Sequence, residues 1–259
     1  MVADDSFRTA LREQEPLVAN WLSLKDPTTA EITAHLGFDF AVLDHEHTDS
    51  SLETITSLIR GLETVDRDVG AIIRVSWNDQ VEIKRLLDMG ADGVLVPMIE
   101  SVEEAEAAVE ATKYPPDGVR GVAGGRGSNL GLDLMEYFEE ANDATVTMAQ
   151  IETQAGLDNV EEIAAVEGLD GLFIGPADLS ASLGMFGEWN NDEFRAAVDR
   201  IVEAAHAADI TVGTLATAEE QIEDRYEWGI DYLVAGTDTS ALMAGGQAAI
   251  DTFNTVADR

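Results

Sequence analysis

Four short segments place reactive side chains directly after apolar runs: Asp44-His45-Glu46-His47 after FAVL, Arg74 after AII, Gln150-Ile151-Glu152 after TVTMA, and Gly175-Pro176-Ala177-Asp178 after GLFI. If Glu152 and Asp178 come within a few ångströms of each other, they must share either a proton or a cation. A hard dication such as Mg²⁺ or Mn²⁺ suits an all-oxygen site with two protein carboxylates and open positions. Those positions can take the keto and carboxylate oxygens of a 2-oxo acid. The plainer reading is two solvated acids among 51. His47 next to carboxylates has the makings of a general base near neutral pH, or else of a surface histidine paired with Asp44 or Glu46. Arg74 reads as a clamp for an anion or oxyanion, or as one half of an ion pair. The turn 175–180 offers free backbone N–H groups able to hold a carboxylate. Arg120 and Arg126 lie in a glycine-rich loop, from which they either reach a bound anion or stay exposed. His35 and His206 fall in helical patterns, where an ordinary structural histidine is expected.

Other chemistries lack their residues. The chain has no cysteine, which excludes thiol catalysis, disulfides and thiolate metal sites. A Schiff-base aldolase needs a desolvated lysine in the barrel, whereas Lys84 and Lys113 fall in helical patterns and Lys25 near an exposed turn. No GxGxxG opens a helix after a strand and no P-loop occurs, so dinucleotide or ATP use has no support.

The elements that must position these groups alternate along the chain. Eight apolar, β-rich runs are expected as strands at 17–24, 40–43, 71–75, 93–99, 145–151, 171–174, 211–215 and 232–235. Amphipathic helical patterns separate them, among them 79–89, 101–112, 157–166, 192–208 and 218–228. Near-continuous apolar strands alternating with helices predict a parallel sheet covered on its faces. Eight units favour closure into a (β/α)8 TIM barrel, an α/β fold, over an open doubly wound sheet, and 259 residues match one such barrel. No linker or shift in composition divides the chain, so 1–259 is expected to be a single domain. The longest irregular stretch, 114–131, holds paired prolines and six glycines. Loops of that length are usually functional or mobile. In such barrels the active site lies at the C-terminal ends of the strands, where the four reactive segments fall.

Composition narrows the partners. Fifty-one acidic residues against 15 basic ones give a formal charge of −36, a surface that repels nucleic acid and anionic membranes. Cationic partners are one reading; a solvated surface adapted to high salt, where screening is short-ranged, is the favoured one. The polar start 1–12 has no secretory pattern. No apolar run approaches the ~20 residues needed to span a bilayer, and a soluble, cytoplasmic protein is expected.

Taken together, DHEH (44–47), RVSWND (74–79), LLDMGADGVLVPMIES (86–101), YPPDGVRGV (114–122), QIET (150–153) and VEGLDGLFIGPADLSASLG (166–184) resemble the HpcH/HpaI aldolases. These are class II, divalent-metal-dependent pyruvate aldolases of the 4-hydroxy-2-oxoheptanedioate aldolase type, and the resemblance runs roughly from Phe7 to Phe253. By motif, it implies that His47 is the general base, Asp88 the acid that raises its basicity, and Arg74 the oxyanion stabiliser. It implies metal ligands at Glu152 and Asp178, with Mg²⁺, Mn²⁺ or Co²⁺ as cofactor. Substrate contacts fall on Gln150, the Ala177 backbone and Asp178. The implied reaction is reversible cleavage of a 4-hydroxy-2-oxo acid, or a 2-keto-3-deoxy sugar acid, to pyruvate and an aldehyde, by a homo-oligomer (hexamer or trimer). Two departures stand out: His45 occupies a position where the family has a small residue, and the loop 124–129 is unusually glycine-rich. That loop, with Trp21 and Leu215 at strand ends, is expected to shape specificity for the aldehyde half. The alternatives are a malyl- or citramalyl-CoA-type lyase, for which no basic cluster is present, and a non-catalytic barrel that binds 2-oxo acids.

Overall fold

Side chains on a strand alternate between its two faces, and in this chain that parity sorts the whole molecule. The computed structural model describes residues 6–257, so the first residues of the polar start and the extreme ends of the assigned 1–259 domain lie outside the described residues. The strands are β1 (Leu17–Leu22), β2 (Phe40–Asp44), β3 (Gly70–Arg74), β4 (Gly93–Val96), β5 (Val146–Ile151), β6 (Gly171–Ile174), β7 (Thr211–Ala216) and β8 (Tyr232–Thr237). Each pairs in parallel with the next, and β8 pairs with β1 through Leu17–Tyr232 and Val18–Leu233. That last ladder closes the barrel and removes the open-sheet alternative. One parity, including Trp21, Phe40, Val42, Ile72, Leu95, Met148, Phe173, Tyr232 and Val234, fills the barrel interior. The other, including Ala41, Leu43, Ala71, Ile73, Val94, Ala149 and Leu172, packs under the helices.

The helices are α1 (Ser6–Arg12), α2 (Pro27–Leu36), α3 (Leu52–Leu62), α4 (Gln80–Asp88), α5 (Val102–Thr112), α6 (Leu134–Ala144), α7 (Gln154–Asp158), α8 (Val160–Ala164), α9 (Pro176–Ser182), α10 (Asp192–Ala207), α11 (Ile222–Tyr226) and α12 (Asp238–Val256). Side-chain N-caps at Asp26, Ser51, Asp79, Ser101, Thr153, Asn191 and Thr237 take up orphan N–H groups and set where helices begin. The pattern at 157–166 resolves into α7 and α8, broken at Asn159, whose Nδ2 donates to the Glu100 carbonyl at 2.7 Å. The pattern at 218–228 becomes a 3₁₀ turn followed by α11.

The polar start conceals a plug. α1 puts Phe7 and Leu11, one helical turn apart, into the N-terminal end of the barrel, where the Phe7 ring lies 5.0 Å from that of Phe40. Gly70 makes this approach possible, because a Cβ there would come within 2.5 Å of the Phe7 ring. At the other terminus, α12 has no buried residue and leaves Leu242, Met243, Ile250, Phe253 and Val256 exposed. Among the described residues, no helix is long and apolar enough to cross a membrane.

The glycine-rich loop is not at the barrel mouth. It follows α5, and a barrel helix runs back towards the N-terminal ends of the strands, so the segment after it starts at that end. There Arg126 donates to the Met89 carbonyl and pairs with Glu63. Arg120 is fully buried, donates to Asp88 Oδ1 and the Tyr137 hydroxyl, and lies 4.5 Å from the Tyr114 ring centroid. Within one chain, therefore, neither arginine reaches an anion at the mouth, and the loop does not border the aldehyde half. A cavity of about 650 Å³ opens at this same end between Arg8, Arg60, Glu63, Asp92 and Arg126.

Candidate active site at the barrel mouth

Above the apolar interior the same inward parity turns polar: Asp44 on β2, Arg74 on β3 and Gln150 on β5, with Glu46 and Glu152 just beyond. Register sets Asp44 directly beside Arg74 on the paired strands. Arg74 donates from Nε to Asp44 Oδ1 at 3.0 Å and from Nη2 to Asp44 Oδ2 at 2.9 Å, while its Nη1 lies 2.7 Å from Glu46 Oε2. Its guanidinium carbon sits 4.6 Å from the Trp21 ring centroid. With both edges engaged and one face on an indole, Arg74 is a fixed, buried cation.

Glu152 is almost fully buried. Its Oε1 accepts the Met98 N–H at 2.9 Å and its Oε2 accepts from Gln150 Nε2. Burial is the largest cause that pushes its carboxyl up to about 7; the Met98 N–H works against this, and the charges of Asp178 and Glu46 add to it. Glu46 is raised as well, first by burial, with Asp44 and Asp178 reinforcing and Arg74 and His47 opposing. Two backbone features make room for Glu152. Met98 adopts φ +56°, an uncommon conformation for a side-chain-bearing residue, and its N–H is the one that meets Glu152. At Gly175, a Cβ would lie 2.8 Å from Glu152 Oε2 and 2.9 Å from Gln150 Nε2, so glycine is required there.

Asp178 stands in the first turn of α9, which begins at Pro176 without a side-chain cap. Among the described residues no group of three or more His, Asp or Glu side chains is arranged to hold a metal. The pair Glu152 and Asp178 nonetheless suits a hard dication. The donors are all oxygen, the half-buried Glu46 adds a third carboxylate to the neighbourhood, and Gln150 Oε1 is buried without a hydrogen-bond partner. Two protein carboxylates leave several coordination positions open.

The two histidines of the DHEH segment part company. His45 points away from the mouth, with Nδ1 3.0 Å from Ser50 Oγ and Nε2 3.4 Å from Glu82. The additional imidazole therefore neither crowds the site nor competes with His47. The His47 ring is 69% exposed at the rim, with Nε2 3.7 Å from Glu46 Oε1, and its backbone N–H donates to Asp44 Oδ1. Asp88, expected to raise the basicity of His47, does not meet it within one chain. It ends α4 at the opposite end of the barrel and accepts from Arg120. The carboxylates beside His47 are instead Asp44 and Glu46, the pairing that the sequence offers for a surface histidine. Their signal was parity: Asp44 continues the inward series Phe40, Val42, and Glu46 follows two residues later.

A cavity of about 280 Å³ opens beside these groups. Arg74, Gln150 and the 175–178 turn form its inner wall, and Trp21 and Leu215 both line it. Trp189, Thr217, Gln221 and Arg225 complete its lining.

The sequence profile of the HpcH/HpaI aldolase/citrate lyase family matches residues 18–244. The chain is 38% identical over 250 residues to a 5-keto-4-deoxy-D-glucarate aldolase of Salmonella paratyphi C, covering 96% of each chain. Among solved structures it is similar to an HpcH/HpaI aldolase/citrate lyase family protein from Burkholderia cenocepacia J2315, with TM-score 0.92, 34% identity and coverage of 96% of this chain and 99% of that one. It is also similar to an HpcH/HpaI aldolase from Desulfitobacterium hafniense DCB-2, with TM-score 0.86, 28% identity and coverage of 95% and 96%.

Proposed function

Because the chain belongs to the HpcH/HpaI aldolase/citrate lyase family, we propose that it is a class II aldolase that reversibly cleaves a 4-hydroxy-2-oxo acid to pyruvate and an aldehyde. The curated relative that acts on 5-keto-4-deoxy-D-glucarate supports a 2-keto-3-deoxy sugar acid as the substrate. The observation that carries the reading is the cluster of carboxylates at Glu46, Glu152 and Asp178 around the fixed cation Arg74. Three carboxylates beside one arginine leave a net negative charge that a bound dication would balance.

Glu152 and Asp178 would hold Mg²⁺, Mn²⁺ or Co²⁺, which when bound supplies Lewis-acid polarisation of the 2-oxo oxygen. The Ala177 N–H, at the exposed start of α9, takes the substrate carboxylate. Gln150 fixes Glu152 through its Nε2 and keeps its Oε1 free to accept from a hydroxyl or a water. His47, whose Nε2 lies 3.7 Å from Glu46 Oε1, removes the proton of the 4-hydroxyl. The C3–C4 bond then breaks, its electron pair passes to C3 and the 2-oxo oxygen, and the aldehyde leaves. Arg74 faces the negative charge that develops on the pyruvate enolate.

Pyruvate release from a panel of 4-hydroxy-2-oxo acids, measured in molar KCl, tests this. EDTA treatment is expected to abolish release and added Mn²⁺ to restore it, and His47→Ala to lower kcat by about 10²-fold or more. Activity that survives chelation, or an unchanged His47→Ala enzyme, overturns the scheme.

The reading also makes the protein a homo-oligomer, a hexamer or trimer, supported by the apolar side chains that α12 leaves uncovered. Light scattering is expected to give a trimeric or hexameric mass; a monomer at micromolar concentration contradicts it.

A further inference from the structure

The base proposed above has little to hold its side chain. The His47 ring is mostly exposed, and Glu46 at 3.7 Å is beyond hydrogen-bond reach. Its position is therefore set by the backbone of the turn 45–51, between β2 and α3. The start of that turn is fixed at the strand ends. There the His45 N–H donates to the Arg74 carbonyl at 2.9 Å, and Asp44 Oδ1 accepts the N–H groups of Glu46 and His47. The tip, 48–50, has weaker ties to its neighbours. Asp49 pairs with Lys25 at 2.6 Å, but both side chains are exposed, and such pairs hold little.

What secures the tip lies on the side turned away from the mouth. The His45 ring joins it to α4: Nδ1 is 3.0 Å from Ser50 Oγ, and Nε2 is 3.4 Å from Glu82 Oε1. A carboxylate only accepts, so Glu82 keeps a proton on Nε2, and in the neutral ring Nδ1 is then the acceptor for the Ser50 hydroxyl. Ser50 Oγ is in turn 2.8 Å from Thr48 Oγ1, which donates to the Asp44 carbonyl at 2.6 Å. A continuous chain of contacts thus runs from Glu82 through His45, Ser50 and Thr48 back to the last residue of β2.

Glu82 is itself diverted to this use. It stands three residues after the N-cap Asp79, a position from which a glutamate commonly reaches back to the N-cap N–H. Here the Asp79 N–H is taken by the Trp77 carbonyl at 2.8 Å. The Glu82 carboxylate instead accepts from the Ser76 hydroxyl at 2.6 Å and from the Ser76 N–H at 3.3 Å, besides facing His45. Ser76 is two residues beyond Arg74. One half-buried carboxylate therefore anchors two turns, the one that carries His47 and the one that follows Arg74.

We propose that His45 and Glu82 are a positioning pair, which holds the His47 turn fixed relative to Arg74. Neither side chain lines the mouth cavity, so both act through the groups that do the chemistry. This rests on the aldolase reading for the role of His47. A displacement of about 1 Å at a reacting group can cost about 10²-fold in rate, which gives a tie remote from the substrate its leverage.

The test is pyruvate release from 5-keto-4-deoxy-D-glucarate by the Mn²⁺-loaded protein. His45→Ala is expected to lower kcat about tenfold or more, with KM within about threefold of the parent. His45→Gln, whose amide can accept from Ser50 and donate to Glu82, is expected to return kcat to within about threefold. Glu82→Ala is expected to lose at least as much as His45→Ala, and the double variant no more than about twofold beyond Glu82→Ala, because the pair acts as one unit. Should His45→Ala fail to fold, Ser50→Ala breaks the same chain at the tip and is expected to lower kcat about threefold or more. Hydrogen exchange supplies a readout free of turnover: in His45→Ala, amides of 44–51 are expected to exchange about threefold or more faster, with the barrel strands unchanged. An unchanged kcat in His45→Ala, no recovery in His45→Gln, or single losses that multiply in the double variant overturns the proposal. If the parent releases no pyruvate while exchange at 44–51 quickens in His45→Ala, the aldolase reading falls and the tie stands. If the parent turns over and His45→Ala is indifferent in both measurements, the reverse holds.

Discussion

Glu152→Gln is expected to lower pyruvate release by about 10³-fold or more, at any Mn²⁺ concentration tested, while the fold is kept. The substitution is nearly isosteric, and the amide oxygen can still accept the Met98 N–H that now reaches Glu152 Oε1 at 2.9 Å. What disappears is one of two charges proposed to hold the dication, and with it the polarisation that supplies several kcal/mol at the transition state. The metal-free protein should respond in the opposite sense. Glu152 is buried beside Glu46 and Asp178, whose charges both disfavour its ionised form. Removing that charge relieves repulsion within the site, and each kcal/mol relieved raises Tm by roughly 2–4 °C in a domain of this size. A thermal melt in EDTA should therefore place Glu152→Gln at or above the parent, in the manner of active sites that trade stability for function. A variant that retains kcat within tenfold, or that melts well below the parent in EDTA, contradicts the assignment of Glu152 as a metal-holding carboxylate.

The parts of this arrangement that follow a period were legible in the sequence, and the parts that depend on a single backbone choice were not. The eight apolar runs sit on the eight strands because parallel strands buried on both faces must be apolar throughout. Their ends were overrun where the ladder stops for local reasons. The fourth apolar run extends to 99, whereas β4 ends at Val96, since Pro97 has no N–H to donate and Met98 turns to φ +56°. α1 leaves little trace in the sequence, because Phe7, Ala10 and Leu11 alone are buried among its described side chains, too few to register as a periodic stripe in a polar segment. His45 and Glu46 show how much rests on parity: one step along β2 sends His45 out to Ser50 and Glu82, and the next brings Glu46 towards Arg74. The length and glycine content of 114–131 mark a loop but not the end of the barrel at which it lies. Chain order held the better signal, for a segment that leaves a helix starts at the N-terminal end of the barrel. Asp88 shares this cause, as the last residue of α4. Arg225 could not be singled out from 15 basic residues, because its burial against Trp189 and Trp228 is a tertiary contact with no local signal.

Arg74→Lys is the second substitution expected to be nearly silent in charge and severe in effect, with kcat falling by about 10²–10³-fold and KM changing far less. A single ammonium cannot reproduce the two hydrogen bonds to Asp44 and the ion pair with Glu46 by which Arg74 is held, nor its stacking on Trp21. The lysine will settle on one carboxylate and leave the other buried without its partner. The developing enolate oxygen then meets a cation that is either displaced or must reorganise, and preorganisation is what gives such a donor its catalytic worth. Arg74→Met separates this from a structural effect. It leaves both Asp44 and Glu46 uncompensated, and breaking a buried pair in this way costs about 3–5 kcal/mol, which chemical denaturation will register. If Arg74 serves only to hold the strand ends together, Arg74→Lys will lose stability and keep kcat. If it faces the enolate, kcat will fall further in Arg74→Lys than its stability loss can account for, at a temperature where both proteins remain folded.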